Sequence, residues 1–252
     1  MTTRFTGKVA LVTGGGSGIG QATAQAFARE GATVVVAGRS PQSLAQTVKL
    51  IQAEGGRATA ITADVTRPED VAHLVAATVA EHGGLHLAFN NAGVIGAGPV
   101  ADLDQDTWDR TLAVNLTGVW LSMKYEIAHM RAHGGGVIVN TASNVGASMR
   151  IPGLGAYAAA KAGVSALTRT AAREYIGDGI RINAISPGPL DTPMSLRPGE
   201  TDVDRSERIK DALPIGRVGS LEEVAATVLW LASPDAGFVV GHDLVLDGGA
   251  SA

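Results

Sequence analysis

The 252-residue chain predicts a doubly wound α/β fold, a parallel sheet with helices on both faces. Three observations carry that prediction. Short β-branched runs alternate with longer helical patterns from the start of the chain. The runs are apolar almost throughout instead of alternating, as strands covered on both faces should be. A cluster of glycines joins the first run to the first helix. No linker divides the chain, so a single domain over residues 1–252 is expected.

Lys8–Thr13 reads as the first strand, Gly18–Glu30 as the first helix and Thr33–Ala37 as the second strand. Pro41–Glu54 is a helix with Ser40 placed to cap it. Arg57–Thr62 is a third strand, and Pro68–Glu81 a helix whose proline falls in the first turn, where a missing N–H is harmless. His86–Asn90 is the fourth strand, Asp104–Ala132 a long helical region and Gly136–Ala142 the fifth strand. An alanine-rich helix then runs to about Tyr175, followed by a strand over Ile180–Ser186. Residues 187–213 are rich in proline, glycine and charge, with one short helix near Val203–Asp211. Lying beyond a strand's carboxyl end, this stretch is placed to cover a ligand. The helix Leu221–Leu231 and the strand Asp243–Leu246 complete the pattern.

Composition narrows the function. A net charge of −4, with no basic run longer than two residues, argues against nucleic acid or an anionic membrane as the main partner. Without cysteine there is no disulfide, thiol nucleophile or thiolate-bound metal. The first apolar run, Val9 to Val12, ends at once in threonine and glycine, unlike a signal peptide. No stretch approaches the roughly 20 apolar residues of a membrane helix, so a soluble cytoplasmic protein is expected.

The turn Thr13-Gly14-Gly15-Gly16-Ser17-Gly18-Ile19-Gly20 links first strand to first helix. Glycines there permit positive φ and close approach of a pyrophosphate, which the helix N-terminus favours. The spacing departs from G-x-G-x-x-G because Ile19 takes the third glycine's place, yet its position favours a dinucleotide. The second strand ends Val36-Ala37-Gly38-Arg39-Ser40, without the carboxylate that holds the ribose of NAD. Arg39 instead suits a 2′-phosphate, with Gly38 leaving room, so NADP is preferred and NAD remains possible. Asp64, after the third strand, either holds the adenine edge or serves a turn or helix cap.

Tyr157 and Lys161 lie four apart among alanines, on one face of a helix. An adjacent ammonium favours phenolate, and bringing a tyrosine near pKa 10 toward neutrality takes about 3–4 kcal/mol. Such a group suits general acid–base chemistry.

With these residues in place, the chain resembles the short-chain dehydrogenase/reductase family over nearly its whole length. The matching elements are Thr13-Gly14-x3-Gly18-x-Gly20, Asp64-Val65, Asn90-Asn91-Ala92-Gly93, Asn115, Ser143, Tyr157-x3-Lys161, Pro187-Gly188 with Thr192, and the ending Asp247-Gly248-Gly249. The resemblance implies a Rossmann-like fold of about seven strands and a carbonyl reductase or alcohol dehydrogenase chemistry. It implies that Tyr157 donates the proton to a ketone, that Lys161 lowers its pKa and binds the nicotinamide ribose, and that Ser143 hydrogen-bonds the substrate oxygen. Asn115 would bend its helix and hold a water that passes protons to Lys161. Gly14, Ser17, Gly18, Ile19, Gly20, Arg39, Asp64, Val65, Asn91, Ala92 and Gly93 would hold the cofactor, with Pro187, Gly188, Leu190 and Thr192 around the carboxamide. A homotetramer is implied, with the long helices forming one interface and the C-terminal segment another. Ser143 lies fourteen residues before Tyr157 where the family has thirteen, which would be Asn144; Gly146, three later, favours Ser143.

Other candidates have plainer explanations. Asn115, in an apolar stripe, reads from the residues alone as a satisfied buried amide. His129 and His133 lack the glutamate of H-E-x-x-H and suit a helix C-terminus, so no metal is expected. No G-x-S-x-G marks Ser143 as a hydrolase nucleophile. Met149, Ile151, Met194 and Leu196 either line an apolar substrate pocket or pack the core. A 3-oxoacyl-carrier-protein reductase would need a basic surface, for which Arg150, Arg197, Arg205, Arg208 and Lys210 are available; the same residues equally read as a solvated face balanced by Glu200, Asp202 and Glu207. A non-catalytic NADP-binding sensor ranks last, because Tyr157 and Lys161 are both present.

Overall fold

Along strand β1 (Val9–Thr13) every residue is buried, but successive side chains enter different cores. Ala10 and Val12 join one cluster, Val9 and Leu11 the other. Strand β2 (Thr33–Gly38) repeats this, with Val34 and Val36 on the first face and Val35 and Ala37 on the second. Burial on both faces is why these strands read as unbroken apolar runs. The computed structural model describes residues 3–192, 195 and 199–252. The remaining strands are β3 (Arg57–Thr62), β4 (Leu87–Asn90), β5 (Gly136–Thr141), β6 (Ile180–Pro187) and β7 (Asp243–Leu246). All seven pair in parallel in one sheet of order β3-β2-β1-β4-β5-β6-β7. The expected doubly wound, Rossmann-like sheet is therefore present.

The described helices are α1 (Gly18–Arg29), α2 (Pro41–Ala53), α3 (Pro68–His82), α4 (Gln105–Leu112), α5 (Gly118–Ala132), a one-turn α6 (Asn144–Ala147), α7 (Gly155–Tyr175), α8 (Asp202–Ala212) and α9 (Leu221–Ala232). Phe27 of α1, Leu44 and Ile51 of α2, and Val228 of α9 fill the core on one face. Leu74 of α3, Met123 and Ile127 of α5, and Val164 of α7 fill the other. Most boundaries lie within a residue or two of those expected. The edge strand β3 differs from the apolar pattern, since half its side chains reach solvent. The region Asp104–Ala132 also differs: it divides into α4 and α5 around a π-helical turn over Ala113–Thr117.

Strand order reverses between β1 and β4, so the connections leaving their carboxyl ends part to opposite faces and open a crevice. The glycine-rich turn follows β1 and Asn91–Gly93 follow β4, which places both on that crevice. At the opposite edge, Arg181 of β6 holds the end of α9. Its guanidinium donates to the carbonyls of Leu231, Ser233 and Ala236 at 2.9, 2.9 and 3.1 Å. A helix C-terminus leaves such carbonyls without intrahelical donors and favours a cation. Burial lowers the Arg181 pKa from its usual value, and the three carbonyl contacts replace lost water. Arg181→Lys should lose the fork and destabilise the fold by about 1–3 kcal/mol. Thermal unfolding checks this, and an unchanged melting temperature would mean that water serves those carbonyls equally well.

Candidate active site

Each glycine of the turn is there for a spatial reason. A Cβ at Gly20 would lie 2.2 Å from the Gly14 carbonyl, and one at Gly14, whose φ is +67°, would lie 2.9 Å from Ala92 Cα. At Gly18 (φ +51°) the nearest neighbour among the described residues is the Thr192 methyl group, 3.8 Å away on the loop after β6. Ser17 caps α1 without a side-chain hydrogen bond, and no acidic residue occupies the first turn. The helix N–H groups are thus left to an anion. Ile19 packs against the core beneath.

Thr13 ties this turn to the segment after β4. Its hydroxyl accepts from the N–H groups of Asn91 and Ala92 at 3.1 and 3.3 Å. The Asn91 amide in turn donates to the Thr13 and Gly14 carbonyls at 3.4 Å. Thr13 belonged to the motif but carried no expected role. Next along, Asn115 is fully buried at the centre of the π-helical turn. Its Nδ2 donates to the carbonyls of Val94 and Thr111 at 2.8 and 2.9 Å, and its Oδ1 accepts from Val94 N–H at 3.1 Å. Taking the carbonyl four residues back is what a regular helix reserves for the backbone N–H, and the turn widens accordingly. A Cβ at Gly93 would lie 2.9 Å from Asn115 Oδ1 and 3.8 Å from Lys161 Nζ, so only glycine fits between them. The satisfied buried amide expected of Asn115 is therefore visible, and the helix around it is irregular, widened into a π-helical turn. Asn115→Ala would strand three backbone groups and should cost about 2–3 kcal/mol. Chemical denaturation measures this, and an unmoved midpoint would refute it.

Ser143, Tyr157 and Lys161 converge beyond the carboxyl end of β5. Ser143 is buried, its Oγ accepts from Val145 N–H at 3.2 Å, and it lies near enough to the Tyr157 phenol to favour that group's ionised form. The neighbouring Asn144 turns away to Met149 and Asp247, so the fourteen-residue spacing leaves Ser143 facing the phenol. Lys161, 3% exposed, donates to the Thr141 carbonyl at 2.6 Å and sits 5.8 Å from the Tyr157 ring centre. Thr141 acts through its backbone, which no side-chain motif could have revealed. Burial lowers the Lys161 pKa to about 8. The Tyr157 pKa departs from expectation. Burial raises it, only partly opposed by Ser143. Lys161 is committed to Thr141 and to its own desolvation, so the phenol is protonated at neutral pH.

Arg39, Asp64 and Gly188 each follow the carboxyl end of a parallel strand, β2, β3 and β6. Arg39 is exposed beyond β2 and makes no hydrogen bond or ion pair with the described residues. Its charge, with that of Arg67, helps lower the Asp64 pKa; burial pushes that carboxyl up, but hydrogen bonds from Thr66 outweigh it. Asp64 Oδ1 accepts from both Thr66 N–H and Thr66 Oγ1, which is the turn role among the two considered. Val65 is buried against Gly118. Past β6, Gly188 N–H donates to the Leu246 carbonyl, Pro187 and Leu190 are buried, and Thr192 N–H donates to the Leu190 carbonyl. Met194, Leu196 and Arg197 lie outside the described residues. Of the two readings of Arg205 and Arg208, balanced charge and not a free basic surface is what the pairs show. Arg205 is 4% exposed, ion-paired to Asp191 at 2.6 Å and donating to the Thr192 carbonyl, while Arg208 forks onto Glu200. His129 and His133 stack 4.1 Å apart, and the His129 ring accepts from Leu85 N–H at 3.3 Å. Asp247, from the ending motif, braces the site from below. Burial pushes its carboxyl up, but hydrogen bonds from Ser251, Asn144 and Gly249 hold it below the usual range.

The family described as Enoyl-(Acyl carrier protein) reductase matches residues 14–251. The crystal structure of a short-chain type dehydrogenase/reductase from Mycobacterium marinum superposes with a TM-score of 0.90 at 33% identity, covering 99% of this chain and 97% of that one. The chain belongs to the short-chain dehydrogenase/reductase family. Within it, this oxidoreductase is 44% identical over 249 residues to a cyclohexanol dehydrogenase of Acinetobacter sp. (strain SE19), covering 98% of this chain and 96% of that protein. It is 41% identical over 250 residues to a 2,5-dichloro-2,5-cyclohexadiene-1,4-diol dehydrogenase of Sphingobium indicum, covering 98% of each. Membership implies a nicotinamide cofactor, and this short-chain dehydrogenase has residues that fit one. The glycine-rich turn, the N-terminus of α1, which has no side-chain cap, and the Asn91–Gly93 segment all lie at the crevice where strand order reverses.

Proposed function

We propose that this short-chain dehydrogenase interconverts a ketone and a secondary alcohol with NADP, using Tyr157 as the general acid and base. The observation that carries the reading is the convergence of Ser143, Tyr157 and buried Lys161, with Lys161 anchored on the Thr141 carbonyl. When bound, the nicotinamide supplies or accepts the hydride. The chain's own residues govern the proton. A protonated Tyr157 is ready to donate to a carbonyl oxygen, and Ser143 holds that oxygen where negative charge develops. Lys161 then stabilises the phenolate left behind, more strongly than in water because the pair is desolvated. Asn115, packed against Gly93 beside Lys161, is the residue best placed to hold a water that returns the proton.

The relatives named for six-membered-ring alcohols support a cyclic secondary alcohol or its ketone as substrate. Residues 187–213 are proposed to cover it, since Arg205 clamps α8 onto Asp191 and Thr192 at the crevice mouth. A carrier-protein-linked 3-oxoacyl substrate has the family description in its favour, but Arg205 and Arg208 are spent on internal pairs. A homotetramer fits the exposed Trp120 on α5 and the fully exposed Phe238 near the C-terminus, and a cytoplasmic setting fits the absence of cysteine.

NADPH consumption over a panel of cyclic ketones and one carrier-linked 3-oxoacyl thioester tests the reading. Wild type should reduce cyclic ketones, and Tyr157→Phe should lose roughly a hundredfold or more in kcat. A variant as active as wild type removes Tyr157 from the chemistry, and turnover of the thioester alone would favour the carrier-linked substrate. For the cofactor, Arg39→Ala should weaken NADPH by about tenfold or more while sparing NADH. Equal losses for both would overturn the 2′-phosphate assignment.

A further inference from the structure

Directly beneath the site, β4 and β5 each carry a buried asparagine, Asn90 and Asn140, paired across the sheet. Asn90 Nδ2 donates to Asn140 Oδ1 at 3.1 Å and to Glu126 Oε2 at 2.9 Å. Asn140 Nδ2 passes the chain on to Thr168 Oγ1 of α7 at 2.9 Å and to Met123 Sδ of α5 at 3.1 Å. Glu126, on α5, is 0% exposed and has no salt-bridge partner among the described residues. An ionised carboxylate so placed would be costly.

Two buried oxygens in this network, Asn90 Oδ1 and Glu126 Oε1, have no hydrogen-bond partner among the described residues. They belong to the two groups that already share a hydrogen bond. With an ionised glutamate, both are acceptors and neither can serve the other. One proton on Oε1 resolves both deficits, because a carboxylic acid and an amide are complementary along their edges. The amide N–H donates to one acid oxygen, and the acid O–H donates to the amide oxygen. The second amide hydrogen remains for Asn140, as observed.

We propose that Glu126 is held as a neutral carboxylic acid paired edge to edge with Asn90, and that this pair positions the strand ends carrying Asn91 and Thr141. Asn90 immediately precedes the segment that Thr13 binds, and Asn140 precedes the carbonyl that Lys161 holds. Glu126 is thus a positioning residue, two steps removed from the reacting atoms.

The titration agrees with the geometry. Burial raises the Glu126 pKa to about 7, with the Asn90 hydrogen bond opposing. β4 and β5 carry no titratable side chain. No charged group of α3, β6 or α7, Lys161 included, contributes to the shift. In the unfolded chain a glutamate ionises near pH 4.3. The folded state therefore keeps a proton that the unfolded state gives up. The stabilisation is fully present below the unfolded value and is lost as pH rises from there to about 7.

The test is thermal unfolding of the whole protein from about pH 5 to pH 9, for wild type, Glu126→Gln and Glu126→Leu, together with infrared spectra of wild type and the glutamine variant. Glutamine offers one donor and one acceptor along the same edge, so it forms the pair without titrating. Glu126→Gln should melt with wild type near pH 5 and above it at pH 8, its folded-to-unfolded ratio there about tenfold higher or more. Glu126→Leu should melt lower throughout, because it leaves the Asn90 amide unpaired. Wild type near pH 6 should show the C=O stretch of a protonated carboxyl, lost on titration through about pH 7. A difference between wild type and Glu126→Gln that does not change with pH would overturn the proposal. So would the absence of that band in wild type, a result independent of whether the glutamine variant folds.

Discussion

The bond from Lys161 to the Thr141 carbonyl, at 2.6 Å, is the contact through which α7 and the sheet become one object at the reactive end of the molecule. It joins a buried ammonium to the last residue of β5, and so fixes the height of Tyr157 above the strand ends. Among the described residues Lys161 has no carboxylate partner, and its charge is offset by a backbone dipole. That arrangement holds a cation ready without a permanent anion to neutralise it, which suits a site that must stabilise charge only transiently.

Small residues make the contact possible. Gly163 lets α7 approach Leu116, where a Cβ would come within 2.9 Å, and Gly146 lets the segment after Ser143 lie against the Ala158 carbonyl, where a Cβ would come within 2.6 Å. Ala156 and Ala160 are buried. The alanine run around Tyr157 therefore reflects close packing as much as helix propensity. The catalytic helix is close enough to the sheet to share hydrogen bonds with it, and this closeness is written into the sequence as an absence of bulk.

Much of this was legible in the chain. Strands β3 and β7 have the bounds that apolar runs and turn residues indicated, because both signals are local. The glycine turn and the Tyr157–Lys161 pair were visible because their chemistry depends on local spacing, whereas Ser143, one residue off the family spacing, was marked by Gly146 three later. Other features were not, for identifiable reasons. The π-helical turn arises from a side-chain amide that competes with the backbone, and Asn115 looks like any buried amide until its partners at Val94 and Thr111 are known. Glu200 was legible as a balancing charge for Arg208, but the Arg205 partner, Asp191, lies on a loop whose path no periodicity predicts. The direction of the Tyr157 shift was misjudged because spacing reveals the nearby ammonium but not the depth of burial, and burial prevails.

The π-helical turn has one more effect, on the rod of helix that follows it. Asn115 and Glu126 are eleven residues apart, which on an unbroken helix would aim them along nearly the same bearing. The surplus residue at Ala113–Thr117 rotates everything downstream by about 100°. Asn115 therefore reaches out to Val94 beyond the end of β4, while Glu126 swings under the sheet to Asn90. One irregular turn thus sets the phase of two polar anchors, and a deletion there would throw the second out of register while leaving the first in place.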